Sequence, residues 1–236
     1  MPRAIFFDMD DTLLDGVKAM NAAWGAICGD VAQRLGADPE ALRKAIRHQG
    51  GIFWKDEAAV GHWRLDLEGA RALVVANALT AEGLDPSGAL QIAADYGRLH
   101  REYLQPFDDA FATLEAVRAA GLHIGLITNG PRALQRDKID RFGIEKHMDV
   151  IVIEGEFGRG KPDPAVFQHA LRTVGVQPAE AWHIGDNLYA DVGGAQSVGI
   201  HGVWIHRDRL ERREDAAAVP DRVIAHLTEL PALLAG

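Results

Sequence analysis

Six side chains in this sequence have the types and the spacing to carry ionic chemistry. Asp8 and Asp10 stand two positions apart just after the apolar run Ala4–Phe7, and Thr128 closes a second run, Leu122–Thr128, with Asn129 beside it. Lys161 lies in the loop after a third run, Asp149–Ile153, and Asp186 and Asp191 follow a fourth, Ala181–Ile184. Brought together, four acids with one hydroxyl and one ammonium carry an excess of negative charge. Three or more carboxylates in one place repel by something on the order of several kcal/mol, so the site requires a cation. Oxygen donors without a nearby His or Cys cluster favour Mg2+, which keeps several of its waters and bridges readily to a phosphate. The chemistry expected is that of a magnesium–phosphate site.

These residues can meet only if their runs are neighbouring strands that end on one side. Ala4–Phe7 is apolar throughout, as in a strand buried on both faces. The four runs and a fifth, Ile200–Ile205, alternate with helical patterns over 111–120, 131–142, 164–174 and 190–198. That alternation predicts an α/β fold: a doubly wound, Rossmann-like parallel sheet with helices on both faces. In such sheets ligands bind beyond the carboxyl ends of the strands, where helix N-termini face anions. Gly121 reads as the residue that ends the helix before the second strand. Asp163 and Pro164 read as N-cap and first residue of the helix after the Lys161 loop. Gly193 and Gly194 would each cost about 1 kcal/mol inside a helix, so close packing rather than chemistry explains them.

Between the first and second strands the texture changes. Ala41–Ile46, Leu67–Leu79 and Leu90–Leu104 have helical spacing, with turn signals at Asp38-Pro39, Gly50-Gly51 and Asp85-Pro86-Ser87-Gly88. The expected organisation is a helical-bundle domain over 16–104 inserted into an α/β core made of 1–15 and 105–236. The charged run Arg207–Asp215 is mixed in sign and reads as a solvated loop or helix end.

Composition narrows the possible partners. In 236 residues, 25 Lys and Arg face 34 Asp and Glu, a formal charge of −9, which argues against bulk binding of nucleic acid or anionic membrane. With 47% hydrophobic and 25% charged residues the chain is globular, not predominantly disordered. Cys28 is the only cysteine, so no intramolecular disulfide forms, which fits a reducing compartment. The stretch Ala72–Leu79 is interrupted by Asn77, no segment reaches the length of a membrane span, and no targeting signal is visible. The expectation is a cytoplasmic monomer or homodimer with a small-molecule ligand.

In their order along the chain, Asp8-Met-Asp-Asp-Thr12, Ile127-Thr-Asn-Gly130, Gly160-Lys-Pro-Asp-Pro164 and Gly185-Asp-Asn-Leu-Tyr-Ala-Asp191 resemble the four motifs of the haloacid dehalogenase superfamily. The resemblance implies hydrolysis of a phosphate monoester in which Asp8 is the nucleophile and Asp10 the general acid and base. It implies Mg2+ held by Asp8, the backbone carbonyl of Asp10 and Asp186. Thr128, Lys161 and the backbone N–H of Asn129 would face the phosphoryl oxygens, and Asp191 would orient Lys161 or a metal-bound water. Asp10 separates this reading from the dehalogenases of the same fold, whose halide leaves without a proton. Sugar phosphomutases keep the same acid and remain the alternative, with a 2-haloacid dehalogenase behind them. The helical insertion resembles the family's cap, which selects the leaving group. Lys18 and Asn21 are its best-placed candidates; Trp24, Phe53, Trp54, Trp63 and Arg64 are further ones, although Trp and Phe in a bundle are more often core. The substrates implied are sugar phosphates, acylneuraminate phosphate, phosphoglycolate or nucleoside monophosphates.

Overall fold

A computed structural model describes residues 1–207 and 218–234. Its strands are β1 (Ala4–Phe7), β2 (His123–Thr128), β3 (Val150–Ile153), β4 (Ala181–Gly185), β5 (His201–Ile205) and β6 (Arg222–Ile224). They form one sheet in the order β3-β2-β1-β4-β5-β6, and every neighbouring pair is parallel. The chain winds outward from β1 in both directions, so the loops leaving β1, β2 and β4 diverge and open a crevice at their carboxyl ends. Register sets who meets there: Phe7 lies opposite Leu126 on one side and Ile184 on the other. All four residues of β1 are fully buried, as its unbroken apolarity requires of a central strand.

The chain divides into two compact units, one of residues 1–15 and Pro106 onward, the other Gly16–Gln105. The second unit is helical: α1 (Gly16–Leu35), α2 (Pro39–Phe53), α3 (Glu57–Trp63), α4 (Leu67–Ala81) and α5 (Ala89–Tyr103). Asp38 starts α2 by accepting from the N–H groups of Glu40 and Ala41, with Pro39 in the first turn. Ile27, Val31, Leu42, Ile46, Phe53, Val75, Leu79 and Ile92 fill its core. Gly50-Gly51 is not the turn expected but lies inside α2. The buried stripe Leu42, Ile46, Phe53 runs past the two glycines, and its burial outweighs their helix cost of about 1 kcal/mol each. Phe53 belongs to this core, Trp24 and Trp63 pack against it, and Trp24 stacks on Tyr96 with ring centroids 4.3 Å apart. Trp54 is exposed and Arg64 half-buried, and Lys18 and Asn21 are exposed in the first turns of α1. Cys28 is buried. No helix among the described residues is long and apolar enough to cross a membrane.

In the α/β unit the sheet is accompanied by α6 (Ala110–Ala119), α7 (Arg132–Phe142), the single turn α8 (Glu154–Phe157) and α9 (Pro164–Val174). Gly121 after α6 has φ +77°, and Asp163 caps α9 by accepting from the N–H of Ala165. The helix expected over 190–198 is instead a π-helical turn, Leu188–Gly193, followed by Gly194–Gln196. The N–H of Val192 reaches five residues back to the carbonyl of Asn187 at 3.3 Å, which widens the turn. A Cβ on Gly194 would press on the Phe167 ring at 2.8 Å and on Pro162 Cα at 3.0 Å, so packing is what keeps this position Gly. Strand β6 was not expected, because only Ile224 of its three residues is buried.

Arg207, the first residue of the charged run, is not solvated as expected. Its guanidinium lies 3.6 Å over the Phe107 ring, pairs with both oxygens of Asp109 at 2.9 and 3.2 Å, and donates to the carbonyl of Thr12 at 2.9 Å. Residues 208–215 of that run lie outside the described residues.

Asp149 ties α6, β2 and β3 together. Its carboxylate accepts from Arg118 at 2.8 and 2.9 Å and from the backbone N–H of Ile124 at 2.8 Å. Burial opposes its ionisation, but these hydrogen bonds and the Arg118 charge outweigh it and hold the carboxyl below its usual range. A depressed acid stabilises the fold above its unfolded pKa, and that contribution is lost as the pH falls through the folded value. Asp149→Asn should therefore cost about 1 kcal/mol at neutral pH. Urea melts should show the gap to wild type closing as the pH falls below the ordinary carboxylate range; a gap independent of pH would show that the charge is not responsible.

Candidate active site

Asp8 is the first residue beyond β1, and its backbone N–H still pairs with the carbonyl of Ile184 at 2.9 Å. Its side chain is therefore set at the mouth of the crevice. The chain then turns sharply: Asp11 has φ +59°, its N–H bonds the carbonyl of Leu14 at 2.8 Å, and the N–H groups of Leu13 and Leu14 both reach the carbonyl of Met9 at 2.9 Å. This turn places the side chain of Asp10 against Gln135 and Lys138 of α7.

Asp8, Asp186 and Asp191 each offer a carboxylate oxygen within 4.8 Å of the others. Among them stands Lys161, 3% exposed, whose Nζ donates to Asp8 Oδ1 at 2.5 Å and to Asp191 Oδ1 at 2.6 Å. The Lys161 backbone is clamped by Asn129: the Lys161 N–H donates to Asn129 Oδ1 at 2.7 Å, and Asn129 Nδ2 donates back to the Lys161 carbonyl at 2.8 Å. Asn129 thus positions the lysine through its side chain, in addition to the backbone role expected of it.

Asp191 has both oxygens engaged. Oδ1 also meets His183 Nε2 at 3.0 Å, and Oδ2 accepts from the N–H of Asn187 at 3.0 Å. His183 is fully buried, edge-on to Phe167 with centroids 5.2 Å apart, and donates through the Nε2–H tautomer, since a carboxylate only accepts. A side chain on Gly185 would run into the carboxylate of Asp191, so Gly is required there. On the far side, the carbonyl of Asp186 accepts from Trp204 Nε1 at 2.8 Å.

The electrostatics divide this group in two. Burial opposes the charge on Asp191, yet Lys161 and His183 hold its carboxyl well below the usual range. Burial also opposes the charge on Lys161, and Asp191 and Asp8 outweigh it and hold the ammonium protonated. Burial pushes Asp8 up to about 7, with Asp191 and Asp10 adding to the rise and Lys161 opposing it. Asp186 is raised well above the carboxylate range by burial and by Asp8 and Asp191. Asp8 and Asp186 are thus short of positive charge while Asp191 is not. Two under-compensated carboxylates side by side, all donors oxygen, fit a hard divalent cation.

The second face of the site belongs to β2. Thr128, 2% exposed, has its Oγ1 bonded to Gln135 Nε2 at 2.6 Å. Gln135 also reaches the carbonyl of Asn129 at 2.8 Å and Asp10 Oδ2 at 3.1 Å, and Lys138 Nζ stands 2.7 Å from both oxygens of Asp10. Buried Glu154 accepts from the N–H of Gly130 at 2.9 Å and steadies the turn after Thr128. Gln135, Lys138, Glu154 and His183 all escape a reading of the sequence. In a helix as polar as α7, Gln135 and Lys138 look like solvent-facing positions; their only signal is the spacing of three that puts them on one face.

Of the expected residues, Asp8, Lys161, Asp186 and Asp191 form one cluster, and Thr128, Asn129 and Asp10 adjoin it through hydrogen bonds. Lys18 and Asn21 belong to the helical unit.

Known proteins match along the whole of this framework. The model of the haloacid dehalogenase-like hydrolases fits residues 2–199. Phosphoserine phosphatase of Thermus thermophilus is 34% identical over 97% of this chain and 97% of its own. Glyceraldehyde 3-phosphate phosphatase of Methanopyrus kandleri is 34% identical over 98% of this chain and 96% of its own. Among solved structures, a 2-haloacid dehalogenase of Pseudomonas syringae superposes with a TM-score of 0.62 at 30% identity, covering 100% of this chain and 99% of that one. Since the family match runs through every strand-end loop that builds the site, and the relatives align over nearly their full lengths, the chain belongs to the haloacid dehalogenase-like hydrolases.

Proposed function

We propose that the protein is a Mg2+-dependent phosphatase of small phosphate monoesters that works through an aspartyl-phosphate on Asp8. The observation that carries this reading is the ion pair of Lys161 with Asp8 at 2.5 Å, next to Asp186. A buried lysine held protonated beside a carboxylate supplies one fixed positive charge for the oxygens of a phosphoryl group.

In the first step an Asp8 oxygen attacks phosphorus in line. The Asp8 O–P bond forms as the ester P–O bond breaks, and the electron pair stays on the ester oxygen, which takes a proton from Asp10 and leaves as an alcohol. In the second step Asp10, now a carboxylate, takes a proton from water. The water oxygen attacks phosphorus, the Asp8 O–P bond breaks, and inorganic phosphate leaves with Asp8 and Asp10 restored. Lys161, Thr128 and the N–H of Asn129 donate to the phosphoryl oxygens through both steps. Asp8, Asp186 and the backbone carbonyl of Asp10 would hold Mg2+, which when bound supplies charge that offsets the phosphoryl oxygens. Asp191, with its oxygens taken by Lys161, His183 and Asn187, keeps Lys161 aimed. By the family resemblance, the helical unit acts as the cap that selects the leaving group, Lys18 and Asn21 being its first candidates.

The named phosphatase relatives act, by their names, on phosphoserine and glyceraldehyde 3-phosphate, both small polar esters. The dehalogenase likeness favours a second reading, but that chemistry gives Asp10 no proton to deliver. The test is a panel of phosphoserine, glyceraldehyde 3-phosphate, phosphoglycolate, hexose phosphates and nucleoside monophosphates, with and without Mg2+, beside 2-chloropropionate. Mg2+-dependent phosphate release is expected. Chloride release without phosphate release would make it a dehalogenase, and conversion of a hexose 1-phosphate to its 6-phosphate without free phosphate would make it a mutase.

A further inference from the structure

Asp10 stands on a turn rather than on a strand, and its side chain is 37% exposed. A carboxylate so placed has several rotamers open to it in water, yet an acid that must meet a departing ester oxygen has to be held within a fraction of an ångström. The holding groups come from α7. Lys138 Nζ is 2.7 Å from each Asp10 oxygen, and Lys138 is itself only 19% exposed, its stem lying along the protein. One turn earlier, Gln135 is 2% exposed, and its Nε2 lies within hydrogen-bonding distance of Thr128 Oγ1, the Asn129 carbonyl and Asp10 Oδ2. Three acceptors share the two hydrogens of one amide, so this nitrogen sits at a junction of the first and second strand-end loops.

We propose that Lys138 and Gln135 are positioning residues for Asp10, a brace on one face of α7 that fixes the acid–base carboxylate relative to the phosphate-facing Thr128. The proposal rests on the reading of Asp10 as general acid and base. The brace works because α7 is rigid: residues three apart on a helix keep their spacing, so the distance between the acid and the phosphate donor is set by one element. The interaction of Lys138 with both oxygens also places a positive charge beside Asp10 on the side of α7. That charge lies beside the carboxylate that Asp10 becomes once it has given its proton to the leaving oxygen.

The experiment separates proton delivery from everything else by the choice of leaving group. p-Nitrophenolate departs without a proton, whereas the alkoxide of an alkyl ester needs one. Single-turnover release of the leaving group is measured for p-nitrophenyl phosphate and for the best alkyl ester of the panel, in wild type, Lys138→Met, Lys138→Gln, Lys138→Arg and Asp10→Asn. Asp10→Asn should slow the alkyl ester by about 100-fold or more and leave the nitrophenol burst nearly intact. Lys138→Met should show the same selectivity at smaller size, about 10- to 100-fold on the alkyl ester and under about 3-fold on the aryl ester. KM for the alkyl ester and the Mg2+ concentration giving half-activity should stay at wild-type values, and Lys138→Arg should recover most of the loss. A merely structural lysine would slow both esters together and raise KM.

If Asp10→Asn is selective and Lys138→Met is not, the brace is wrong and the acid reading stands. If Asp10→Asn itself lacks selectivity, the acid reading fails and the brace falls with it. Should Lys138→Met melt below the assay temperature, Lys138→Gln decides by the same ratio, since it keeps a donor without the charge.

Discussion

Asp8→Asn should abolish phosphate release, lowering kcat by about four to six orders of magnitude, the size of effect seen when an enzyme loses its nucleophile. The substitution keeps the volume and leaves an amide oxygen for Lys161 Nζ, which now stands 2.5 Å from Asp8 Oδ1. An amide oxygen does not form the acyl-phosphate, so the first displacement has no attacking group. The fold should survive, because the change removes one carboxylate from a group of three that shares a single ammonium. In EDTA the variant is expected to melt at or above the wild-type temperature, which separates lost chemistry from lost structure. Phosphate release at a wild-type rate from the purified variant would sink the covalent mechanism and leave a metal-activated water as its replacement.

Lys161→Met should have the largest effect on stability. Lys161 Nζ is shared between Asp8 and Asp191 at 2.5 and 2.6 Å, and its side chain is 2% exposed. Taking away one partner of a buried ion pair leaves the other charge without compensation, at a cost of about 3–5 kcal/mol. Here two carboxylates are left facing each other, although His183 and the N–H of Asn187 still hold Asp191. Activity should fall as well, by about 100- to 1,000-fold, as for the loss of one donor to a developing oxyanion. Denaturant melts with and without Mg2+ give the sharper diagnosis. On the proposed reading Mg2+ would bring positive charge back to Asp8, so it should recover part of the deficit in the variant and stabilise it more than it stabilises wild type. A variant that melts like wild type in EDTA would show that the ammonium is not what allows the carboxylates to approach.

Both predictions concern residues that the sequence points to unaided, and the reason is local. Thr128 closes an apolar run, Asp8 and Asp186 follow one within two positions, and Lys161 and Asp191 lie in the loops that leave two of them, eight and seven positions on. A strand buried on both faces announces itself by unbroken apolarity, and polar groups at its end are conspicuous against it. Gly121, Asp163 and Pro164 were legible for the same reason, because caps act on the nearest turn. Gly50-Gly51 misled because glycine's local preference for a turn lost to burial of Leu42, Ile46 and Phe53 along one face of α2.

What the sequence alone determined is the chemistry on offer and the strand ends that offer it. The tertiary structure decided who holds whom. Lys138 lies 128 positions from Asp10, Gln135 lies 125 from it, and Arg207 reaches 98 back to Asp109. Asp191 became a partner of Lys161 and His183 because the π-helical turn Leu188–Gly193 folds it back over Gly185. Periodicity reports burial along one element, whereas a hydrogen bond between distant residues depends on sheet order and register. It is the winding outward from β1 that sets loops far apart in the chain side by side, and with them the charges that compensate one another.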